Sequence, residues 1–222
     1  ELDSQNVVNF AVPGHDDHCG LTDLMIQDLI ERAVAGDEIA ARQLHDAHYP
    51  AVLRLAYMLL QNRQDAEDAT QDAFVYAFGR LAQYDPARSN FATWLRVIVA
   101  SRCRDLQRRR RIPWLSLQEL FEVGLEPEDE TPNHQPDIVL ELVGVQQMVW
   151  EALEQVPRKS RQALILRYFG GLSYPEMAHA LSCSISTAKS RVAYGHQALA
   201  RLLEREARIE LGYHGYHIGD VP

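Results

Sequence analysis

"SYPEMAHALSCSISTAKSRVAYGHQALARLLER", Ser173 to Arg205, reads as a short helix, a tight turn and a long helix. Ser173 is a good helix cap, and Pro175 falls in the first turn, where a missing N–H does no harm. "SCS", Ser182 to Ser184, supplies the turn. From Ile185 onward Ala188, Val192, Gly195, Leu199 and Leu202 share one helical face, and Ser186, Lys189, Ser190, Tyr194 and Gln197 share the opposite one. These are the parts of a helix-turn-helix. Lys189 and Tyr194 have the reach for base edges or phosphates, Ser190 can bond to either, and Arg191 sits at the flank, where phosphate contact is expected. A solvated face on an ordinary helical bundle has the same periodicity, so the motif needs support from the rest of the chain.

Just before it, Leu142, Val145, Val149, Ala152, Leu153 and Val156 keep a helical period up to Pro157. A second helix is expected over 158–169, ended by Gly170 and Gly171. With the two helices of the motif this makes a four-helix domain over 138–205. Residues 112–137 contrast with it. "EPEDETPNHQPD", Glu126 to Asp137, has three prolines, five acids and no apolar residue, so it is expected to be an acidic extended linker.

A first helical domain is expected over 22–111. Thr22 or Asp23 can cap its first helix. Val52, Leu55, Ala56 and Leu59 fall on one face, as do Phe74, Ala77, Phe78 and Leu81, and Phe91, Leu95, Ile98, Val99 and Leu106 continue the pattern. "YDPARSN", Tyr84 to Asn90, interrupts as a loop, and Ser89 or Asn90 can cap the next helix. Residues 1–21 form an N-terminal extension and 206–222 a C-terminal tail. No strand alternation and no internal repeat is visible. The expected class is all-α, two small helical domains joined by the linker.

The net charge of -9 conceals its distribution. Residues 85–111 carry eight arginines and two acids, and residues 158–205 eight bases and two acids, so each island is +6. Residues 112–137 carry seven acids and no base. Such local footprints suit an anionic partner. "RCRDLQRRRR", Arg102 to Arg111, packs six arginines into ten residues at a helix end. The helix dipole accounts for two or three of them, at a few tenths of a kcal/mol each. The rest call for a counter-anion, and a phosphate backbone supplies one. Tyr84, Phe91 and Trp94 border the island; they suit stacking on unpaired bases, although the spacing of Phe91 and Trp94 favours the core. The loop Arg88-Ser89-Asn90 is the better candidate for reading an extruded base.

"DAEDATQDAF", Asp65 to Phe74, puts Asp65, Asp68, Gln71 and Asp72 on or beside one face, which suits a basic protein partner. "HDDHC", His15 to Cys19, is too tightly spaced for one tetrahedral metal site, and "YHGYH", 213–217, is similarly weak, so no metal is expected. There is no Ser-His-Asp set, P-loop or dinucleotide fingerprint, so no catalytic residue and no cofactor is expected. Three scattered cysteines, Cys19, Cys103 and Cys183, suit a reducing cytoplasm rather than a disulfide framework. No basic segment followed by an apolar one opens the chain, and no apolar run approaches the roughly 18 residues that span a bilayer.

"DAEDATQDAFVYAFGRLAQYDPARSNFATWLRVIVASRCRDLQRRRR" resembles the second conserved region of bacterial sigma factors, in its D-A-E-D start and its F-x-T-W-L before a basic end. "LEQVPRKSRQALILRYFGGLSYPEMAHALSCSISTAKSRVAYGHQAL" resembles the fourth. With nothing resembling the third between them, the chain is similar to the extracytoplasmic-function group. The resemblance implies an alternative sigma factor, not an enzyme, with core RNA polymerase and promoter DNA as partners, cytoplasmic and on the nucleoid. It implies docking on polymerase through Asp65, Asp68, Gln71 and Asp72. It implies engagement and melting of the −10 element by Arg88, Ser89, Asn90, Arg96, Arg102, Arg104 and Arg108. The −35 element would be read in the major groove by Ser186, Thr187, Lys189, Ser190, Arg191 and Tyr194. The acidic linker would thread polymerase channels built for nucleic acid, and an anti-sigma factor would hold the protein inactive. Tyr194, Gly195 and His196 depart from the further basic residues common there, and Gly195 weakens its helix by about 1 kcal/mol. A DNA-binding regulator working without polymerase explains the helix-turn-helix but not the arginine-ended helix or the acidic face.

Overall fold

The computed structural model describes residues 21–110 and 145–210, and these form helices and turns without a strand. Four helices make up the first domain: α1 (Asp23–Val34), α2 (Glu38–Leu60), α3 (Arg63–Phe78) and α4 (Phe91–Arg110), with a 3-10 turn at Leu81–Gln83. Local chemistry fixes their starts. The Thr22 hydroxyl accepts from the Met25 N–H, Asp37 accepts from the Ile39 and Ala40 N–H groups, Asn62 from Asp65, and Asn90 from Thr93. Asp37 also receives Arg32 at 2.7 Å, and that partner together with the cap bonds holds its carboxyl below its ordinary pKa. Gln61 ends α2 in the left-handed region at φ 53°.

The apolar stripes expected from the periodicity close on each other. Val52, Leu55, Ala56 and Leu59 of α2, Ala66, Ala69, Ala73 and Ala77 of α3, and Leu95, Val99 and Cys103 of α4 are buried together. Burial pushes the Cys103 thiol far above its ordinary pKa, so it is a core residue. Phe91 is 2% exposed, and Trp94 is partly buried against it; both serve packing.

The second domain comprises α5 (Val145–Gln155), α6 (Arg158–Leu164), a π-helical turn (Ile165–Phe169), α7 (Tyr174–Ala180) and α8 (Ile185–Glu210). The π turn ends on Gly170, whose N–H donates to Ile165 O at 2.9 Å; a Cβ there would stand 2.8 Å from the Leu166 carbonyl. Ser173 donates to Glu176 from both its N–H and its hydroxyl, which locks the start of α7. Ser182, at φ 50°, makes the turn into α8. Ala188, Val192 and Gly195 of α8 are buried and face α6 and α7.

The two domains touch. Helix α4 packs on α7, and α2 meets the π turn. Arg104 Nη1 donates to Ala180 O at 2.9 Å, Arg96 Nη1 to Gly170 O at 3.5 Å, and Gln162 Nε2 to Gln107 Oε1 at 2.8 Å. The linker, "HDDHC" and "YHGYH" lie outside the described residues.

Candidate nucleic-acid and polymerase interfaces

Helix α8 presents the face expected of it. Ser186, Lys189, Ser190, Tyr194 and Gln197 are exposed, Tyr194 by 56%, and Thr187 and Arg191 are half-buried. Ser184 caps the helix by accepting from the Thr187 N–H at 3.1 Å, and its hydroxyl lies 2.8 Å from those of Ser186 and Thr187. Ser190 donates back to Ser186 O, so its hydroxyl proton is used within the helix and its oxygen remains as an acceptor. Arg191 leans back on Cys183 Sγ at 3.8 Å. Lys189 and Arg167 both lie over the Tyr174 ring, at 5.6 and 5.1 Å, which joins α7 and α8 in one cationic surface. Neither Arg167 nor Tyr174 is marked by the sequence as part of this face; the pairing spans the turn and is invisible to a helical period.

The loop between the 3-10 turn and α4 is braced from within. Asp85 accepts from the Ala87 N–H, and the Tyr84 hydroxyl donates to Ser89 O at 3.0 Å. The Tyr84 ring packs on Phe91 and Trp94, with centroids 5.7 and 5.3 Å away. Burial of this tyrosine raises its pKa. Arg88 and Asn90 are exposed at the tip, while Ser89 is half-buried.

The arginines of α4 divide into three groups. Arg108 and Arg109 are exposed near its end. Arg102 stacks on Tyr76 of α3 at 4.2 Å, with Arg80 on the same ring at 4.0 Å, and its buried Nε has no hydrogen-bond partner. Arg80 is absent from the sequence-based set, although its i, i+4 spacing from Tyr76 is an available signal. Arg96 and Arg104 face the second domain, and burial lowers the Arg96 pKa.

On α3, Asp68, Gln71 and Asp72 are exposed in a row, with Val75 69% exposed beyond them. Beside them His45, Tyr49, Phe74 and Phe78 line an aromatic groove. Asp65 departs from its neighbours: it is 5% exposed, inside the first turn of the helix.

Two family models match the chain in this order: Sigma-70 region 2 over residues 44–112 and Sigma-70 region 4 over 146–202. The extracytoplasmic-function sigma factor SigM of Mycobacterium tuberculosis is 32% identical over 79% of this chain and 83% of its own length. This chain belongs to the extracytoplasmic-function sigma factors of RNA polymerase. Another relative, the sigma factor NccH of Alcaligenes xylosoxydans, is 30% identical across 83% of this sigma factor and 98% of itself. Among solved structures, the sigma factor RpoE in complex with the anti-sigma factor NepR from Bartonella quintana aligns with 73% of this chain and 96% of its own. The TM-score is 0.50 and the identity 27%. The protein is thus an alternative sigma factor that directs core polymerase in promoter recognition and transcription initiation, and is not an enzyme. Among the described residues no cluster of three His, Cys, Asp or Glu could hold a metal, and no helix is long and apolar enough to cross a membrane.

Proposed function

We propose that this sigma factor divides promoter recognition between its two domains. Helix α8 enters the major groove of the −35 element with Ser186, Ser190 and Tyr194 toward the bases and Thr187, Lys189 and Arg191 toward the phosphates. The loop Arg88–Asn90 receives an unpaired base of the −10 element, and α4, through Arg96, Arg102, Arg104 and Arg108, holds the melted strand. Asp68, Gln71 and Asp72 of α3, with Val75, dock on a basic, partly apolar surface of core polymerase. Asp65 stands apart from that row, because it is buried in the first turn of α3. Residues 22–111 and 138–205 act as the two domains, tethered by the linker. The protein works in the cytoplasm on the nucleoid, and an anti-sigma factor restrains it, as NepR is bound to the similar Bartonella protein.

The observation that carries this reading is the division of α8, with an exposed polar row opposite buried Ala188, Val192 and Gly195. Run-off transcription with purified core polymerase on a promoter library tests it. A defined start site should appear only when this chain is added, and Lys189→Ala or Tyr194→Ala should weaken it. Start sites that ignore those substitutions would sink the assignment of α8.

A further inference from the structure

We infer that Arg80, just past the end of α3, and Arg102 of α4 form with Tyr76 a clamp for one backbone phosphate of the promoter strand that is melted. The inference rests on the reading of α4 and the loop Arg88–Asn90 as the −10 surface.

Two cations meet on one ring. The guanidinium carbons of Arg80 and Arg102 lie 4.0 and 4.2 Å from the centroid of the Tyr76 ring, so no more than about 8 Å separates them. Like charges this close repel unless something neutralises them. Elsewhere in the first domain carboxylates do so: Asp28 and Asp37 hold Arg32, Glu67 holds Arg63, and Asp105 holds Arg104. Among the described residues neither Arg80 nor Arg102 has an ion pair, and Asp72, one turn before Tyr76, does not reach them. The Arg102 Nε is buried and lacks a hydrogen-bond partner, and among the described residues the Tyr76 hydroxyl also lacks one.

What this cluster lacks is an anion. Two planar guanidiniums and a hydroxyl stand around one ring, and a phosphodiester has two non-bridging oxygens, one for each guanidinium. The dipole of α3 favours a cation just past the Gly79 cap and so accounts for Arg80. It does not account for Arg102, which comes from α4. Position supports the same ligand. Arg80 leads straight into the 3-10 turn, where Leu81 is buried, and then into Tyr84, which braces the loop from within. The clamp therefore stands at the root of the loop that receives an unpaired base, where the backbone of an extruded nucleotide passes. Tyr76 keeps the two guanidiniums together before the strand arrives.

Methylphosphonate scanning with the holoenzyme tests the clamp. A promoter from the run-off library is made as a forked probe with a single-stranded −10 segment, carrying one uncharged methylphosphonate linkage at a time. For the wild type, one linkage in that segment should cost about tenfold in affinity. Arg80→Ala, at an exposed position, should bind the unmodified probe about tenfold less well, and the same linkage should then cost nothing more. Arg102→Ala should behave alike, and Arg80→Lys should restore part of the loss as a point charge. Co-elution of Arg80→Ala with core polymerase should match the wild type. If every sensitive linkage is as costly to Arg80→Ala as to the wild type, the clamp is overturned and the −10 reading stands. A wild type indifferent to every linkage in the segment removes that reading and the clamp with it. Loss of core binding by Arg80→Ala with an unchanged scan would assign the cluster to an acidic surface of polymerase and overturn the inference. Arg80→Ala decides among these outcomes even if Arg102→Ala fails to fold.

Discussion

Gly195 of α8 lies directly against Leu164 of α6: a Cβ at position 195 would stand 2.9 Å from the Leu164 Cγ and Cδ1 and 3.2 Å from Ser160 O. The glycine that weakens the helix when read alone is what lets α8 close on α6. Gly195→Ala gains about 1 kcal/mol of helix propensity but overpacks the crossing by roughly 1–3 kcal/mol. The variant should unfold at lower temperature than the wild type by circular dichroism. A rise in melting temperature would show that α6 and α8 have room to spare.

Lys189 and Tyr194 should separate by the kind of contact they make. Lys189→Ala should weaken holoenzyme binding across promoters and flatten the salt dependence by about one unit of slope. Tyr194→Ala should act on some promoters more than others, by up to about tenfold, as a base contact does. Both residues are exposed, so the melting temperature should hold. Filter binding of holoenzyme across a salt series makes the comparison.

Acids only a turn apart on α3 should behave in opposite ways. Asp72→Lys and Asp68→Lys reverse exposed charges and should lower affinity for core polymerase by about tenfold each, with stability unchanged. Asp65→Ala removes a buried carboxylate and should lower stability by about 1–3 kcal/mol before any effect on docking. Co-elution with core enzyme and urea unfolding, run side by side, distinguish the two.

His48 should make stability depend on pH. It is buried against Phe91, its Nε2 has no partner, and burial lowers its pKa from the ordinary 6.5. The unfolded chain therefore binds this proton more readily than the folded one. Its share of stability is present in full above pH 6.5 and is lost as pH falls from there toward the folded value, levelling off below it. Urea midpoints between pH 7.5 and 5 should fall, and His48→Leu should flatten that part of the curve.

How much of this is legible in the sequence differs from helix to helix. The two faces of α8 can be read because a large contrast between Val192 or Leu199 and Lys189 or Ser190 recurs at a helical period. The caps at Thr22, Asn90 and Ser173 can be read because short polar side chains at helix starts have one main use. On α3 four of the seven buried residues are alanine, a weak marker of the inner face, so the pattern does not say whether Asp65 faces in with Ala66 and Ala69 or out with Asp68. The two ends of the Arg96 and Arg104 bonds lie 74 and 76 residues apart, and no local period encodes a meeting at that distance. The π turn reads as plain helix in the sequence, because its extra residue shows only where the Gly170 N–H reaches back five positions.

The bracing of Tyr84 bears on how tightly a small loop can grip. Disordered tips surrender part of their binding free energy to the entropy of becoming fixed. Here the hydroxyl of Tyr84 already holds Ser89 O and its ring is already seated on Phe91 and Trp94, so the loop has its shape set from within the chain. On the role proposed for this loop, a Tyr84→Phe chain would keep the ring but lose the strut that sets the shape, and binding would then carry an ordering cost.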